Sequence, residues 1–242
     1  MKHFFNQPVG EVLRQFNASP EKGLSSAEAK KKLEEVGPNQ LVTKKQKSIA
    51  TIFFEQFKSS MVVILLIAAA VSGVIGVMEG EGLTETFIIL AILIVNAVIG
   101  VAEETKAQSS LDALNRMSAP RSKVLRDGEV AEIVSTQLVP GDMVVLDTGD
   151  IIPADMRLTE TVNLKIQESA LTGESVPVEK STEAIDKEDV PLGDRDNMAF
   201  STGVVTYGRG KGVVVGTGMN TEVGKIAGML QRAQETETPM GK

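Results

Sequence analysis

Residues 61–78 read MVVILLIAAAVSGVIGVM, eighteen consecutive positions without a charged side chain. That length meets the lower limit for a helix crossing a hydrocarbon core. The acidic run Glu79-Gly80-Glu81-Gly82 follows, and then a second apolar segment, FIILAILIVNAVIGVA, from Phe87 to Ala102. Extended back to Leu83, the second segment is about 20 residues, roughly 30 Å at the helical rise. Burying two such stretches inside a water-soluble protein would require a large polar shell. The expected element is a transmembrane helical hairpin.

Flanking charge sets the expected orientation. Lys44, Lys45, Lys47 and Lys58 precede the first span, and Lys106, Arg116, Arg121, Lys123 and Arg126 follow the second. The loop 79–86 carries Glu79, Glu81 and Glu85 and no Lys or Arg. The positive-inside rule then puts both ends in the cytoplasm and the short acidic loop outside. Asn96, inside the second span, is expected to contact a neighbouring helix rather than line an ion path.

On the N-terminal side the pattern is helical. Val12, Leu13 and Phe16 fall on one helical face. Ser25-Ser26-Ala27-Glu28 has the form of a capping box, and the helix it starts should stop at Gly37-Pro38. Lys30-Lys31-Lys32 reads as a solvated face. The first sixteen residues have neither the long apolar core nor the cleavage site of a secretory signal peptide. His3 is expected to be an exposed tail residue.

Beyond the second span the helical period persists through Ala107, Leu111 and Leu114 until Pro120, as a cytoplasmic stalk. From Ser122 the period becomes that of short strands. Asp127-Gly128 is a strong hairpin signal, and Gly208-Arg209-Gly210-Lys211-Gly212 also reads as a hairpin turn. That glycine run lacks the spacing of a phosphate-binding loop. Residues 181–197 are polar and read as a surface loop, and a last helix is expected over about 221–232. The fold class is α+β: a membrane hairpin plus a small antiparallel, β-sandwich-like domain with flanking helices.

Composition excludes several chemistries. The 242 residues hold 25 Lys+Arg against 32 Asp+Glu, a net charge of −7, and aromatics at 4%. Neither a basic face nor a set of stacking rings is available, so no nucleic-acid partner is expected. There is no cysteine and one histidine, which leaves no thiol nucleophile, disulfide or zinc-type ligand cluster. Asp142, Asp147, Asp150 and Asp155 do not follow a calcium-loop spacing and read as turn formers, so no metal site is expected in this segment.

One short motif stands out, LTGESVP at 171–177. Gly173 permits a sharp turn and close approach by another surface. The Glu174 carboxylate is ionised at neutral pH and able to accept a proton from water. Thr172 and Ser175 are placed either to orient that water or to fix the turn. On these residues alone a structural turn with an exposed acid is the favoured reading.

The order of features adds to this. The hairpin, PGDMVVLDTGDIIPAD, QESALTGESVPVEK and GTGMNTEVGKIAGML together resemble the start of a P-type cation-transporting ATPase, over essentially the whole chain. The resemblance is to the type IIA calcium-pump branch. It implies that the β domain is the actuator domain, a distorted jelly roll. In that role Glu174 activates the water that hydrolyses an aspartyl-phosphate, Thr172 helps hold it, Gly173 lets the loop fit and Ser175 completes the motif. It also implies this division: 1–58 cytoplasmic segment and linker, 59–102 membrane hairpin, 103–120 stalk, 121–232 actuator, 233–242 linker to a third membrane helix.

The phosphorylated-aspartate motif DKTGT and a nucleotide-binding domain do not occur in these residues, so a portion of a longer pump is expected. ATP and Mg2+ would serve the complete enzyme and not bind this segment. Its partners would be the transported cation (Ca2+ first), the bilayer of the plasma membrane, and the phosphorylation and nucleotide-binding domains of the same chain. The rival readings are a pump for H+, Na+ or Mn2+, and a membrane-tethered β module that binds or regulates without catalysis.

Overall fold

The computed structural model describes residues 4–41, 48–80, 83–117 and 120–236. Expectations resting on His3, on Lys44, Lys45 and Lys47, on Glu81 and on residues after 236 lie outside these. In chain order the elements are α1 (Val9–Phe16), α2 (Ser26–Val36), α3 (Ile49–Gln56), α4 (Ser60–Glu79), α5 (Thr84–Met117), β1 (Arg121–Arg126), β2 (Glu129–Val134) and β3 (Met143–Asp147). There follow β4 (Asp155–Gln167), α6 (Ser169–Thr172), β5 (Val178–Glu179), β6 (Met198–Ala199), β7 (Val204–Gly216) and α7 (Glu222–Thr236). They sort into two compact units, one drawn from 44–118 and the other from 1–43 together with 119–242.

The first unit is the hairpin. Val62–Glu79 and Thr84–Ser110 have mean hydropathies of 2.5 and 2.4, each long and apolar enough to cross a membrane. Only a narrow seam is buried, by Val62 and Ala69 of α4 and Leu93 and Ala97 of α5, while most of the large aliphatics face outward. An apolar surface on nearly all sides matches a lipid environment and not a soluble core. Small residues let the helices approach: a Cβ at Gly73 would sit 3.4 Å from Thr86 Oγ1. Asn96 is exposed, away from that seam. The 34-residue α5 runs unbroken from span into stalk, roughly 50 Å at the helical rise. The side chains of Leu111 and Leu114 are not among those described. Residues 49–56, expected as linker, form α3, which Ser48 caps by accepting the Thr51 N–H.

The second unit is built on one open antiparallel sheet of order β2-β1-β3-β7-β4-β5, with β6 also on β4. Met156, Leu158, Leu164 and Ile166 of β4 enter a single core with Val144, Leu146, Val205 and Val214. Between them Glu160, Val162 and Asn163 are exposed, and the β4–β7 register shifts several times. Bulges therefore fold the sheet over, so that both ends of its longest strands bury the same core. This produces the sandwich-like character within one continuous sheet.

Local signals act as expected at two places. Asp127 and Gly128 both adopt positive φ, 53° and 84°, as a two-residue hairpin turn between β1 and β2 requires. Ser25 and Glu28 form the reciprocal capping box at α2, and Gly37 caps its other end. The glycine run 208–212 departs from expectation. It is the middle of β7, paired on one side with β3 and on the other with β4. Added Cβ atoms at Gly208 and Gly210 would lie 2.3 Å from Asn163 O and 2.7 Å from Glu160 O, so the glycines admit a close strand and do not reverse the chain. Lys32 also departs from the solvated-face reading, donating to the carbonyls of Phe16 and Pro140.

The N-terminal helices pack on this sheet. Val12 and Leu13 join Leu125, Met143 and Val213. Phe5 joins Val190, Met198 and Phe200, which draws the polar 181–197 loop inward at Val190 and Ile185. Arg157 is fully buried and donates to five carbonyls, those of Phe4, Gln7, Leu158, Thr182 and Asn197. One guanidinium thus ties the N-terminal segment and the loop to β4.

Candidate active site

The LTGES stretch leaves the end of β4 through α6, a single turn ended by Gly173 in the left-handed conformation at φ 78°. The Thr172 hydroxyl donates to the Glu168 carbonyl at 3.1 Å and accepts the Glu174 N–H at 3.3 Å. Its proton is committed to the backbone, so in this structure Thr172 fixes the turn. Gly193 packs beside it, a Cβ there lying 3.6 Å from Thr172 Cγ2. A Cβ on Gly173 would meet nothing within 4 Å; the glycine is required by the backbone conformation and not by crowding within this chain.

Glu174, Ser175, Val176 and Pro177 are exposed. Among the described residues nothing hydrogen-bonds the Glu174 carboxylate, and only Gln167 reaches the Ser175 carbonyl, at 3.4 Å. The structure therefore brings Thr172, Gly173 and Glu174 into one turn, with Ser175 on its outer side. Among the described residues, the principal cavities are lined by other side chains. A large one of about 520 Å³ lies elsewhere, lined by Phe4, Phe5, Asp155, Arg195, Lys225 and Met229 among others. Substrate sites are normally concave. A protruding carboxylate can accept a proton, but it needs a second surface to supply the reacting group.

Beneath the turn lies a pair that motif reading overlooked. Glu168 and Lys180 form an ion pair of 2.7 Å with side chains 1% and 0% exposed. The other Glu168 oxygen accepts the Phe200 N–H at 3.0 Å. Both residues flank the motif, twelve positions apart and just beyond the ends of two different strands, so only the fold pairs them. The four aspartates are all occupied structurally. Asp142 pairs with Arg126, Asp147 and Asp150 with Lys123, and Asp155 accepts the Ser201 and Glu222 N–H groups. Asp155 is a buried strand residue and not a turn former. Among the described residues no group of three His, Cys, Asp or Glu side chains is placed to hold a metal ion.

Comparison with known families bears on the same residues. Residues 116–231 match the P-type ATPase actuator domain, and residues 4–72 match the cation transporter/ATPase N-terminus. The actuator match takes in the whole β sheet. A calcium-transporting ATPase of Listeria monocytogenes is 48% identical over 236 residues, 98% of this chain and 26% of that protein. A calcium-transporting ATPase of Bacillus subtilis is 46% identical over 95% of this chain and 25% of its own length. A sodium/potassium exporting P-type ATPase of Schizosaccharomyces pombe is 40% identical over 96% of this chain and 22% of its own length. The chain thus spans about a quarter of the length of these curated relatives. The actuator match and two helices of spanning length support a membrane-embedded protein.

Proposed function

We propose that the chain is the N-terminal portion of an ATP-driven cation pump of the type IIA calcium-pump branch, moving Ca2+ out across the plasma membrane. The observation that carries the mechanistic part is the presented, unpartnered Glu174 on a turn fixed from within. Glu174 takes a proton from the water that attacks the phosphorus of an aspartyl-phosphate on another domain of the same protein. The water oxygen–phosphorus bond forms, the aspartyl oxygen–phosphorus bond breaks, and inorganic phosphate leaves. Phosphoryl transfer is mostly positioning and electrostatics, so one placed carboxylate is a sufficient contribution from this side. On this reading nucleotide and Mg2+ are bound by the rest of the protein.

The division proposed is 1–58, 59–102, 103–120, 121–232 and 233–242, with the N-terminus and actuator cytoplasmic. Rotation of the actuator would pull on its linkers and the stalk and so open the ion path on the far side. Calcium is favoured by the calcium-transporting bacterial relatives, and a monovalent cation by the sodium/potassium exporting relative of Schizosaccharomyces.

Glu174→Gln in the complete protein tests the mechanism. Phosphoenzyme forms from ATP at the wild-type level and then persists, its decay slowed roughly 100-fold or more, the range of a lost general base. Decay at the wild-type rate removes Glu174 from the reaction. Stimulation of ATP hydrolysis by Ca2+, set against Na+, Mn2+ and protons, tests the ion.

A further inference from the structure

We infer that the buried Glu168–Lys180 ion pair is the positioning device for Glu174, setting where its carboxylate stands during hydrolysis of the phosphoenzyme. This rests on the actuator reading above and adds two residues to it.

The connection is continuous. Lys180 Nζ holds Glu168 Oε2 at 2.7 Å, and Glu168 Oε1 accepts the Phe200 N–H. The backbone carbonyl of Glu168 accepts the N–H groups of Leu171 and Thr172 and the Thr172 hydroxyl. That hydroxyl in turn accepts the Glu174 N–H. The Glu174 N–H is therefore held by the Thr172 hydroxyl, which is itself held by the carbonyl of Glu168, whose side chain is locked at both carboxylate oxygens. The pair also joins the two ends of the excursion, the exit from β4 and the return beside it.

Leu171 packs against the Phe5–Val190–Met198–Phe200 cluster at the start of the excursion, and Gln167 reaches the Ser175 carbonyl, but the segment beyond Thr172 buries no side chain of its own until Lys180. β5 is two residues long, its register being Lys165 with Glu179 and Ile166 with Val178. Residues 173–177 are exposed throughout. Energetics point the same way. Desolvating two charges offsets most of their attraction, and apolar replacements of buried pairs are often neutral or stabilising. What the pair contributes is a fixed geometry at the base of a loop that lacks a core of its own.

The test uses the complete protein. Either single substitution strands a buried charge, so the informative variant is the double Glu168→Gln, Lys180→Met, which removes both charges and keeps an acceptor for the Phe200 N–H. It is expected to reach the wild-type phosphoenzyme level, and that phosphoenzyme should decay roughly 10- to 100-fold more slowly, the usual effect of misplacing a reacting group by an ångström. A merely structural pair would lower the amount of active protein and leave the decay constant of each phosphorylated molecule unchanged. Adding Glu174→Gln should slow decay no further than Glu174→Gln alone, because both act through one carboxylate. Wild-type decay in the double variant, beside slow decay in Glu174→Gln, overturns the inference and leaves the actuator reading standing. Multiplied effects in the triple variant also overturn it. Wild-type decay in Glu174→Gln itself removes both.

A second measurement on the complete protein covers low phosphoenzyme yields. Amide exchange in the Glu168→Gln, Lys180→Met double variant should speed at Leu171, Thr172 and Glu174 and stay unchanged in the centres of β4 and β7. Uniform acceleration, or none, overturns the inference.

Discussion

Gly173 separates two demands that a sequence motif merges. Its φ of 78° suits glycine, and an added methyl would point into open space. Gly173→Ala should then cost only about 1–2 kcal/mol, the penalty of a left-handed alanine. On the proposed mechanism, the same methyl in the complete protein would stand on the face that meets the phosphorylated surface. Phosphoenzyme decay should fall far more than thermal stability, and comparing the two measurements checks this. Glu174 was legible as an exposed acid on a turn, and nothing local distinguished it from any other such acid. The role of the Thr172 hydroxyl was not legible, because turn-fixing and water-holding use the same residue in the same place. Asp155 makes a different prediction. Burial pushes its carboxyl from 3.8 up to about 6, against the lowering effect of the Ser201 and Glu222 N–H donors. The folded protein thus keeps a proton that the unfolded chain has already released. The stabilisation this contributes is complete below pH 3.8 and is lost as the pH rises through about 6, on the order of 3 kcal/mol in all. Urea midpoints measured from pH 4 to 8 should show that fall in the wild type and a flatter profile in Asp155→Asn.

At the scale of elements, strand β4 carries the β domain's least forgiving side chain. Arg157 is pulled down to about 10 by burial, stays charged at neutral pH, and serves carbonyls from three separate stretches of chain. Arg157→Met should leave five buried or half-buried acceptors without this donor and destabilise the domain by roughly 3–5 kcal/mol. Lysine, with three donors on one atom, should recover only part of this. Limited proteolysis near residues 4–7 would report the loss before global unfolding. Elements with a period of their own were legible: the hairpin by its hydropathy, α2 by its capping box, the β1–β2 turn by Asp127-Gly128. β7 was misread because glycine marks a turn and also a crowded strand, and only the partner strand decides which. The short α3 left no signal beyond Ser48, since eight residues span barely two helical turns.

At the scale of the whole molecule, the proposed topology has a direct check. These 242 residues hold no cysteine, so they add no background to a thiol introduced among them. With the proposed orientation, a membrane-impermeant maleimide applied outside intact cells should label Thr84→Cys and spare Glu129→Cys until the membrane is broken; the opposite pattern would invert the topology. The division into two units was only partly legible, because hydropathy marks the hairpin but says nothing of what residues 4–41 pack against. They belong with the β domain, and the hairpin is inserted between them in the sequence. This interleaving has a consequence for biosynthesis. Gln7 and Arg157 are 150 positions apart, so at usual elongation speeds the guanidinium leaves the ribosome on the order of ten seconds after the carbonyl it will bind. During that interval both spans must enter the bilayer while Phe5, Val12 and Leu13 wait without their partners. The nascent N-terminus is thus a natural client for a chaperone until the last strand of the sheet has been translated.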